Sequence, residues 1–219
     1  MSDALREAFS VWGTHPNKGD GARALNRCMW LRRMCLPSPP HSILDIGCGG
    51  GAGILSWVAG DIFNDDLDLT APELSIHAGI DVREDFVESS RQSKPGCRFE
   101  VFDLLTIKYG NSLPFDDNSY DVVLATEVME HLYKPDWLPV LKEFTRVGKK
   151  QVLLTVPDGG QPDRKEDHCP KAPANTLYEG HQYEPCMDSL RYIMQNQGLF
   201  RNAQCWKILG FFASVGWIR

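Results

Sequence analysis

SILDIGCGGG, residues 42–51, is the stretch of sequence that decides the fold of this chain. Apolar residues run directly into Asp45, and a cluster of glycines follows at once. The pattern predicts a buried strand at residues 42–46 that ends in a tight turn. Glycine supplies unusual dihedrals in such a turn and lets a ligand approach the main chain. Residues 52–59 have helical character, so the whole stretch predicts the strand–loop–helix unit of a nucleotide-binding α/β fold.

Strands and helices are predicted to alternate along the rest of the chain. Further strands are expected at residues 76–82, 97–102, 120–125 and 151–156, with one or two closing strands within 205–215. Helices are expected at residues 84–92, 136–147 and 186–197, and a helical turn at 127–132. This alternation predicts an α/β fold with a Rossmann-like, doubly wound sheet.

The length of 219 residues suits one domain. We expect residues 42–219 to form that domain and residues 1–41 to add an N-terminal helical cap to it. Residues 60–75 are interpreted as an insertion without an assignable role. The polar residues 157–180 are interpreted as a loop long enough to be a lid.

Composition bounds the partners and the compartment. A net charge of −6 disfavours a strong nucleic-acid binder and favours a small molecule as the partner. The seven cysteines are scattered without a CxxC pair, which indicates free thiols in a reducing compartment. We find neither a signal peptide nor an apolar run of membrane-spanning length, so a cytoplasmic protein is expected.

Three acidic residues at successive strand ends favour one nucleotide over another. The glycine loop alone also fits a dinucleotide fingerprint, but an ionised Asp45 would repel a pyrophosphate. Asp81 is placed to bind two ribose hydroxyls, and Asp103 to accept from an adenine amine. Taken singly, Asp81 could be a helix N-cap and Asp103 a turn residue. Together the three acids favour a cofactor that lacks phosphate and carries a positive sulfonium.

On these motifs the chain resembles the class I S-adenosylmethionine-dependent methyltransferases, from about Ser42 to Gly198. The stretches ILDIGCGGG and LPFDDNSYDVVLATEVMEHL carry the likeness. It implies S-adenosylmethionine as cofactor and a seven-stranded sheet with an antiparallel closing strand. The cofactor-binding residues that it implies are Asp45, Gly47, Cys48 and Gly49 at the methionine end, Asp81 and Val82 at the ribose, Asp103 and Leu104 at the adenine, and also Thr126 and Glu127.

A second cluster of polar residues follows the fourth predicted strand. On a helix, Glu127, Glu130 and His131 would share one face, because residues three and four apart are neighbours. The carboxyl ends of parallel strands are where open α/β sheets bind ligands, so this face is expected beside the transferred methyl. Two carboxylates and an imidazole that converge there would be stabilised by a divalent cation.

The pattern ExxEH, with a histidine about fifty residues later, resembles metal-dependent O-methyltransferases. These include the small-RNA 3′-end 2′-O-methyltransferases and the ubiquinone-pathway enzymes. The resemblance implies Mg²⁺ or Mn²⁺ held by Glu127, Glu130, His131 and His181. It favours an acceptor with vicinal hydroxyls, and RNA 3′-terminal 2′-O-methylation is the alternative.

Other interpretations of this cluster stay open. Many methyltransferases without a metal carry a Glu-His pair here that contacts the cofactor or simply packs. In that case His131 would be the general base, with Glu130 as the second catalytic residue. A non-catalytic cofactor-binding module is the alternative from another class of function. A nicotinamide-dependent oxidoreductase is disfavoured by Asp45 and Asp103.

Overall fold

The computed structural model describes residues 42–50, 76–158, 163, 165–167, 181–208 and 211–219. The chain divides into two compact units, Met1–Val101 and Phe102–Arg219. The predicted cap at 1–41, the helix at 52–59 and the insertion at 60–75 lie outside the described residues, as does most of the predicted 157–180 loop.

The first unit contains three parallel strands in the order β3-β2-β1. Its elements are β1 (Ser42–Ile46), β2 (Ile76–Asp81), α1 (Glu84–Ser93) and β3 (Arg98–Val101). Every residue of β1 is buried, as is typical of a parallel strand covered on both faces. The predicted bounds of β1 are confirmed. Strand β3 is shorter than predicted, so Asp103 lies two residues beyond its end.

The second unit contains four strands in the order β4-β5-β7-β6, and β7 runs antiparallel to both of its neighbours. Its strands are β4 (Tyr120–Thr126), β5 (Gly148–Pro157), β6 (Phe200–Ile208) and β7 (Phe211–Ile218). Its helices are α2 (Trp137–Val147) and α3 (Met187–Asn196), with 3₁₀ helices at Leu104–Tyr109, Met129–His131 and Lys134–Asp136. Helix α2 buries Trp137, Val140, Leu141, Phe144 and Val147, which is the apolar stripe of an amphipathic helix.

Parallel strands and helices alternate within the two units, and β7 is an antiparallel closing strand, so the predicted Rossmann-like α/β fold is confirmed. The tail forms two closing strands, and together they extend beyond the predicted residues 205–215 at both ends. Within the part of the chain that the structure describes, no helix is long and apolar enough to cross a membrane.

The predicted helical turn over residues 127–132 is confirmed only at Met129–His131 and is wrong at Glu127. Glu127 has a φ of 56°, in the left-handed region, and only Met129–His131 forms a 3₁₀ helix. The backbone N–H of Glu127 donates to the carbonyl of Thr155 on β5, at 2.9 Å. This bond holds Glu127 beside the end of β5, so it does not share a helical face with Glu130 and His131.

Candidate functional site

The glycine loop after β1 turns with left-handed backbone at two positions. Gly47 has a φ of 69° and Gly49 a φ of 63°, values that side-chain-bearing residues rarely adopt. The N–H groups of Gly47 and Cys48 both donate to the carbonyl of Ile80, at 2.8 and 2.9 Å. The predicted need for glycine dihedrals is therefore confirmed, and the loop is fixed against the end of β2.

The Asp81 carboxylate fastens this loop from the other side. Its Oδ2 accepts from the N–H of Gly49 at 3.0 Å, and its Oδ1 from the N–H of Arg83 at 2.9 Å. In addition, the Ser90 hydroxyl donates to the Gly49 carbonyl at 2.8 Å. The N-cap of α1 is Arg83, so Asp81 is not the N-cap that the sequence left open.

Asp45 is a buried acid near the end of β1, two residues before the first glycine of the loop. Its side chain is 1% exposed, and its Oδ1 has no hydrogen-bond partner among the described residues. Burial, and then the neighbouring charge of Asp81, raise the pKa of Asp45 to about 8. Burial likewise raises the pKa of the Cys48 thiol. A buried carboxyl that lacks a donor fits a cationic ligand group, which would favour its ionised form.

The remaining predicted cofactor residues are partly engaged by the protein itself. Asp103 precedes the 3₁₀ helix at Leu104–Tyr109, and its Oδ1 accepts from the N–H of Leu105 at 2.9 Å. One carboxylate oxygen therefore caps this helix, as the turn-residue interpretation expects. Thr126 is the buried last residue of β4, whereas Val82 and Leu104 are half-buried.

Three of the four predicted metal ligands lie together in the second unit. One ligand atom from each of Glu130, His131 and His181 lies within 4.8 Å of the others. The rings of His131 and His181 meet edge to face, with centroids 5.1 Å apart. Glu130 is 1% exposed, so a carboxylate at this position is largely removed from water.

Backbone hydrogen bonds bring His181 to this cluster across fifty residues of sequence. The N–H groups of Gln182 and Tyr183 both donate to the carbonyl of Glu130, at 2.7 and 3.1 Å. The residue after His181 is thus fixed to the residue before His131. This convergence of two donors on one carbonyl has no signal in the sequence.

Glu127, the fourth predicted ligand, is not part of this group. Its Oε1 accepts from the hydroxyl of Thr155 at 3.0 Å, and Thr155 is fully buried on β5. The left-handed backbone of Glu127 costs on the order of 1–3 kcal/mol in general, and such residues cluster at functional sites. Thr155 was missed by the sequence analysis, because a buried threonine in a strand is common.

Two acidic residues that the sequence analysis missed support the segment around His181. Glu184 Oε1 forms a short contact with Nδ1 of His181. Asp167 accepts from the Tyr183 hydroxyl and from the Cys186 N–H, each at 2.9 Å. Burial alone would raise the pKa of Asp167, but the surrounding donors outweigh it and hold that pKa well below its usual range. Neither acid stands in a recognisable motif.

A family profile described as "Methyltransferase domain" matches residues 44–156, which is more than half of the chain. The chain belongs to the methyltransferase domain family. The prediction of an S-adenosylmethionine-dependent methyltransferase is confirmed. The matched region begins within β1 and ends within β5, and it includes the glycine loop, Asp81, Asp103 and Glu130.

Solved methyltransferases share this fold at low sequence identity. A magnesium protoporphyrin IX methyltransferase from Synechocystis PCC 6803, solved with bound SAM, is 13% identical, with a TM-score of 0.60 over 99% of this chain and 90% of its own. A second match is a Haloferax volcanii complex of the Trm112 methyltransferase activator with a methyltransferase. It has 16% sequence identity and a TM-score of 0.60, and the match covers 98% of this chain and 97% of the other. A SAM-dependent methyltransferase from Aquifex aeolicus has 18% sequence identity and a TM-score of 0.51. The match covers 81% of this chain and 82% of the other.

Proposed function

We propose that this methyltransferase transfers the methyl of S-adenosylmethionine to an oxygen of a small hydroxylated acceptor. We further propose that Glu130, His131 and His181 bind a divalent cation beside that acceptor. The observation that carries the proposal is the convergence of one carboxylate and two imidazoles within 4.8 Å. Glu130 is buried and the two histidines are half-buried, and a bound cation would offset the desolvation of that carboxylate.

The chemistry of these side chains fits the cation. Imidazole and carboxylate ligands suit divalent metals such as Mn²⁺ and, with more oxygen ligands, Mg²⁺. Three protein ligands leave coordination positions open, which is the arrangement of catalytic sites. A bound cation would supply Lewis acidity and lower the pKa of an acceptor hydroxyl. Two open positions would suit vicinal hydroxyls better than a single one.

The cofactor half of the proposal rests on the glycine loop and the acids around it. S-adenosylmethionine supplies the electrophilic methyl. We assign its methionine end to Asp45, Gly47, Cys48 and Gly49, its ribose to Asp81 and Val82, and its adenine to Asp103 and Leu104, with Thr126 and Glu127 as further contacts. The free oxygen of Asp45 supports this assignment, because a cationic end would give that oxygen its missing partner.

The acceptor is proposed to be small because the chain carries a net charge of −6. An acidic protein gains little from the phosphate backbone of RNA, which dominates nucleic-acid affinity. RNA is the competing substrate class, so the panel of acceptors includes an oligoribonucleotide with free 3′-terminal hydroxyls. Catechols and simple sugars represent the small acceptors.

A cation titration tests the proposed site. Binding of Mn²⁺ is measured from the decrease in the EPR signal of the free ion. The proteins compared are the wild type, Glu130→Gln and His181→Ala. Glu166→Gln, at an exposed glutamate of the same unit, is the matched control. We expect the wild type and the control to bind Mn²⁺ and the two site variants to lose at least about tenfold in affinity, because each loses a ligand.

Turnover completes the test of the function. We expect methylation of an acceptor with vicinal hydroxyls to stop in EDTA and to return with added Mn²⁺ or Mg²⁺. Full activity in EDTA would overturn the cation and leave His131 as the proton acceptor. Preference for the oligoribonucleotide would overturn the small acceptor. Calorimetry with S-adenosylhomocysteine and NAD separately tests which nucleotide the loop binds.

Glu127 has its own arm in this experiment. Its carboxylate binds Thr155 in the structure, so it would have to release that hydroxyl to become a fourth ligand. Glu127→Gln decides the matter. A loss of Mn²⁺ affinity as large as that of Glu130→Gln would make Glu127 a ligand, whereas unchanged affinity would leave three.

A further inference from the structure

The geometry points to Glu184 as a positioning residue, which fixes the ring of His181 so that its Nε2 faces the cation. This inference rests on the proposed function, because it names what holds one of the proposed ligands in place. Glu184 was not among the candidate residues of the sequence analysis. Glu184 does not belong to the group of three converging ligand atoms, so it would act through His181.

The contact itself joins a carboxylate to one chosen ring nitrogen. Glu184 Oε1 meets Nδ1 of His181, three residues away in sequence. The Glu184 side chain is 9% exposed, whereas that of His181 is 35% exposed. A buried carboxylate is costly to desolvate, so an acid kept at this position is stabilised chiefly by the donors that it meets there.

This contact determines which nitrogen carries the proton. A carboxylate accepts a hydrogen bond, so a neutral His181 must donate from Nδ1–H. The lone pair then lies on Nε2, which is the ring nitrogen left for a ligand. In metal sites the second nitrogen of a ligating histidine typically donates to a carboxylate in this way, which fixes the tautomer and the orientation of the ring.

The backbone around the pair keeps it in register with the rest of the cluster. Two N–H groups from residues 182 and 183 hold the carbonyl of Glu130. The Tyr183 ring packs edge to face on Trp137, with centroids 5.4 Å apart, and its hydroxyl donates to Asp167. The main chain of this segment is therefore fixed, and the torsions of the His181 side chain are what remains for Glu184 to set.

Tautomer measurement tests the inference without any metal or turnover. Long-range ¹H–¹⁵N spectra of the ¹⁵N-histidine-labelled full chain are recorded at about pH 8.5, above the ordinary imidazole range. A His181→Asn spectrum assigns the signal. We expect the Nδ1–H tautomer of His181 in the wild type and a shift towards the usual Nε2–H tautomer in Glu184→Ala.

Two further variants separate positioning from a merely structural role. Glu184→Gln keeps a hydrogen-bond acceptor, so the Nδ1–H tautomer should survive in it. Mn²⁺ affinity should fall by about 10- to 100-fold in Glu184→Ala and by less in Glu184→Gln. Glu166→Ala, at an exposed glutamate, should change neither the tautomer nor the affinity. The glutamine variant also keeps the test decisive should the alanine variant fail to fold.

The outcomes of the two proposals are distinguishable. Nε2–H in wild-type His181, or an unchanged tautomer in Glu184→Ala, overturns the role of Glu184 whatever the metal result is. A glutamine variant that loses the Nδ1–H tautomer also overturns it. Absence of Mn²⁺ binding by the wild type overturns the cation of the proposed function, while the spectra still decide whether Glu184 sets the ring.

Discussion

Asp45 and Asp167 are acids in different units of the chain, the first buried and the second half-buried, and their hydrogen-bond surroundings are opposite. Asp45 Oδ1 has no hydrogen-bond partner among the described residues, and its pKa is raised to about 8. Asp167 receives hydrogen bonds on both oxygens, and its pKa is held well below its usual range. Burial raises the pKa of both acids, but only Asp167 has donors that outweigh it, and it is also the less buried of the two.

The contrast separates an acid that stabilises the fold from one that does not. Asp167 joins the segment at 165–167 to residues 183 and 186 and so contributes to stability. Asp45 adds a desolvated carboxyl to β1, and both its burial and the charge of Asp81 oppose its ionisation in the folded protein. A buried acid that lowers stability and has a strongly shifted pKa is typical of a binding site. We therefore interpret Asp45 as held for the cationic end of the cofactor.

The largest effect is expected from Asp45→Asn on cofactor binding. Loss of one partner of a buried charge pair typically costs about 3 kcal/mol, so S-adenosylmethionine affinity should fall roughly 100-fold or more. Isothermal calorimetry measures it, and Asp116→Asn, at an exposed aspartate, is the control. If Asp45→Asn bound S-adenosylmethionine as tightly as the wild type, Asp45 would have no role in cofactor binding.

Asp167→Ala is expected to lower the free energy of unfolding by about 2 kcal/mol. The substitution leaves the Tyr183 hydroxyl and the Cys186 N–H without their acceptor, and a buried unsatisfied group costs about 1–3 kcal/mol. Urea unfolding gives the value. Cofactor affinity, measured on the folded variant, should stay within about threefold of the wild type. A cofactor defect without a loss of stability would contradict the role given to Asp167.

The pH dependence of stability gives a third test. Because the folded-state pKa of Asp45 is raised, the native protein holds a proton that the unfolded chain releases near pH 4. Stability from this group is therefore present at low pH and is lost as pH rises towards about 8. Between about pH 6 and pH 7, the wild type should lose about 1 kcal/mol relative to Asp45→Asn. Parallel stability curves for the two proteins would refute the raised pKa.

The smallest effect is expected from Lys134→Met. Lys134 pairs with Asp167 at 3.1 Å, but its side chain is 60% exposed. Exposed ion pairs contribute about 0–1 kcal/mol, so unfolding should change by less than about 0.5 kcal/mol. Thermal unfolding of both variants compares the loss of stability in Lys134→Met with that in Asp167→Ala. An equal loss in both variants would show that the surface charge, rather than the buried donors, holds Asp167.

The sequence predicted best what is written in consecutive residues. Strand β1, the glycine turn and Asp45 stand in one uninterrupted stretch, and the structure places the strand at the predicted residues. Runs of apolar residues also predicted strands β4 and β5, although both strands are longer than predicted. Local pattern suffices there because periodicity and turn chemistry act over a few residues.

The acceptor side of the site was predicted only in part, because it depends on contacts between distant residues. The helical turn through Glu127 failed because Thr155, 28 residues later, binds that residue through backbone and side chain. Glu184 and Asp167 were missed because their roles come from what they meet in the fold. His181 was included by resemblance, and its backbone anchor at Glu130 lies fifty residues away.

Proton release on cofactor binding tests the central claim most directly. If Asp45 is neutral in the free protein and ionised beside a cation, S-adenosylmethionine should displace about one proton at pH 7. Calorimetry in buffers of different ionisation enthalpy measures that number. We predict release close to one proton for the wild type and close to none for Asp45→Asn. A binding enthalpy that is independent of the buffer in the wild type would contradict the claim.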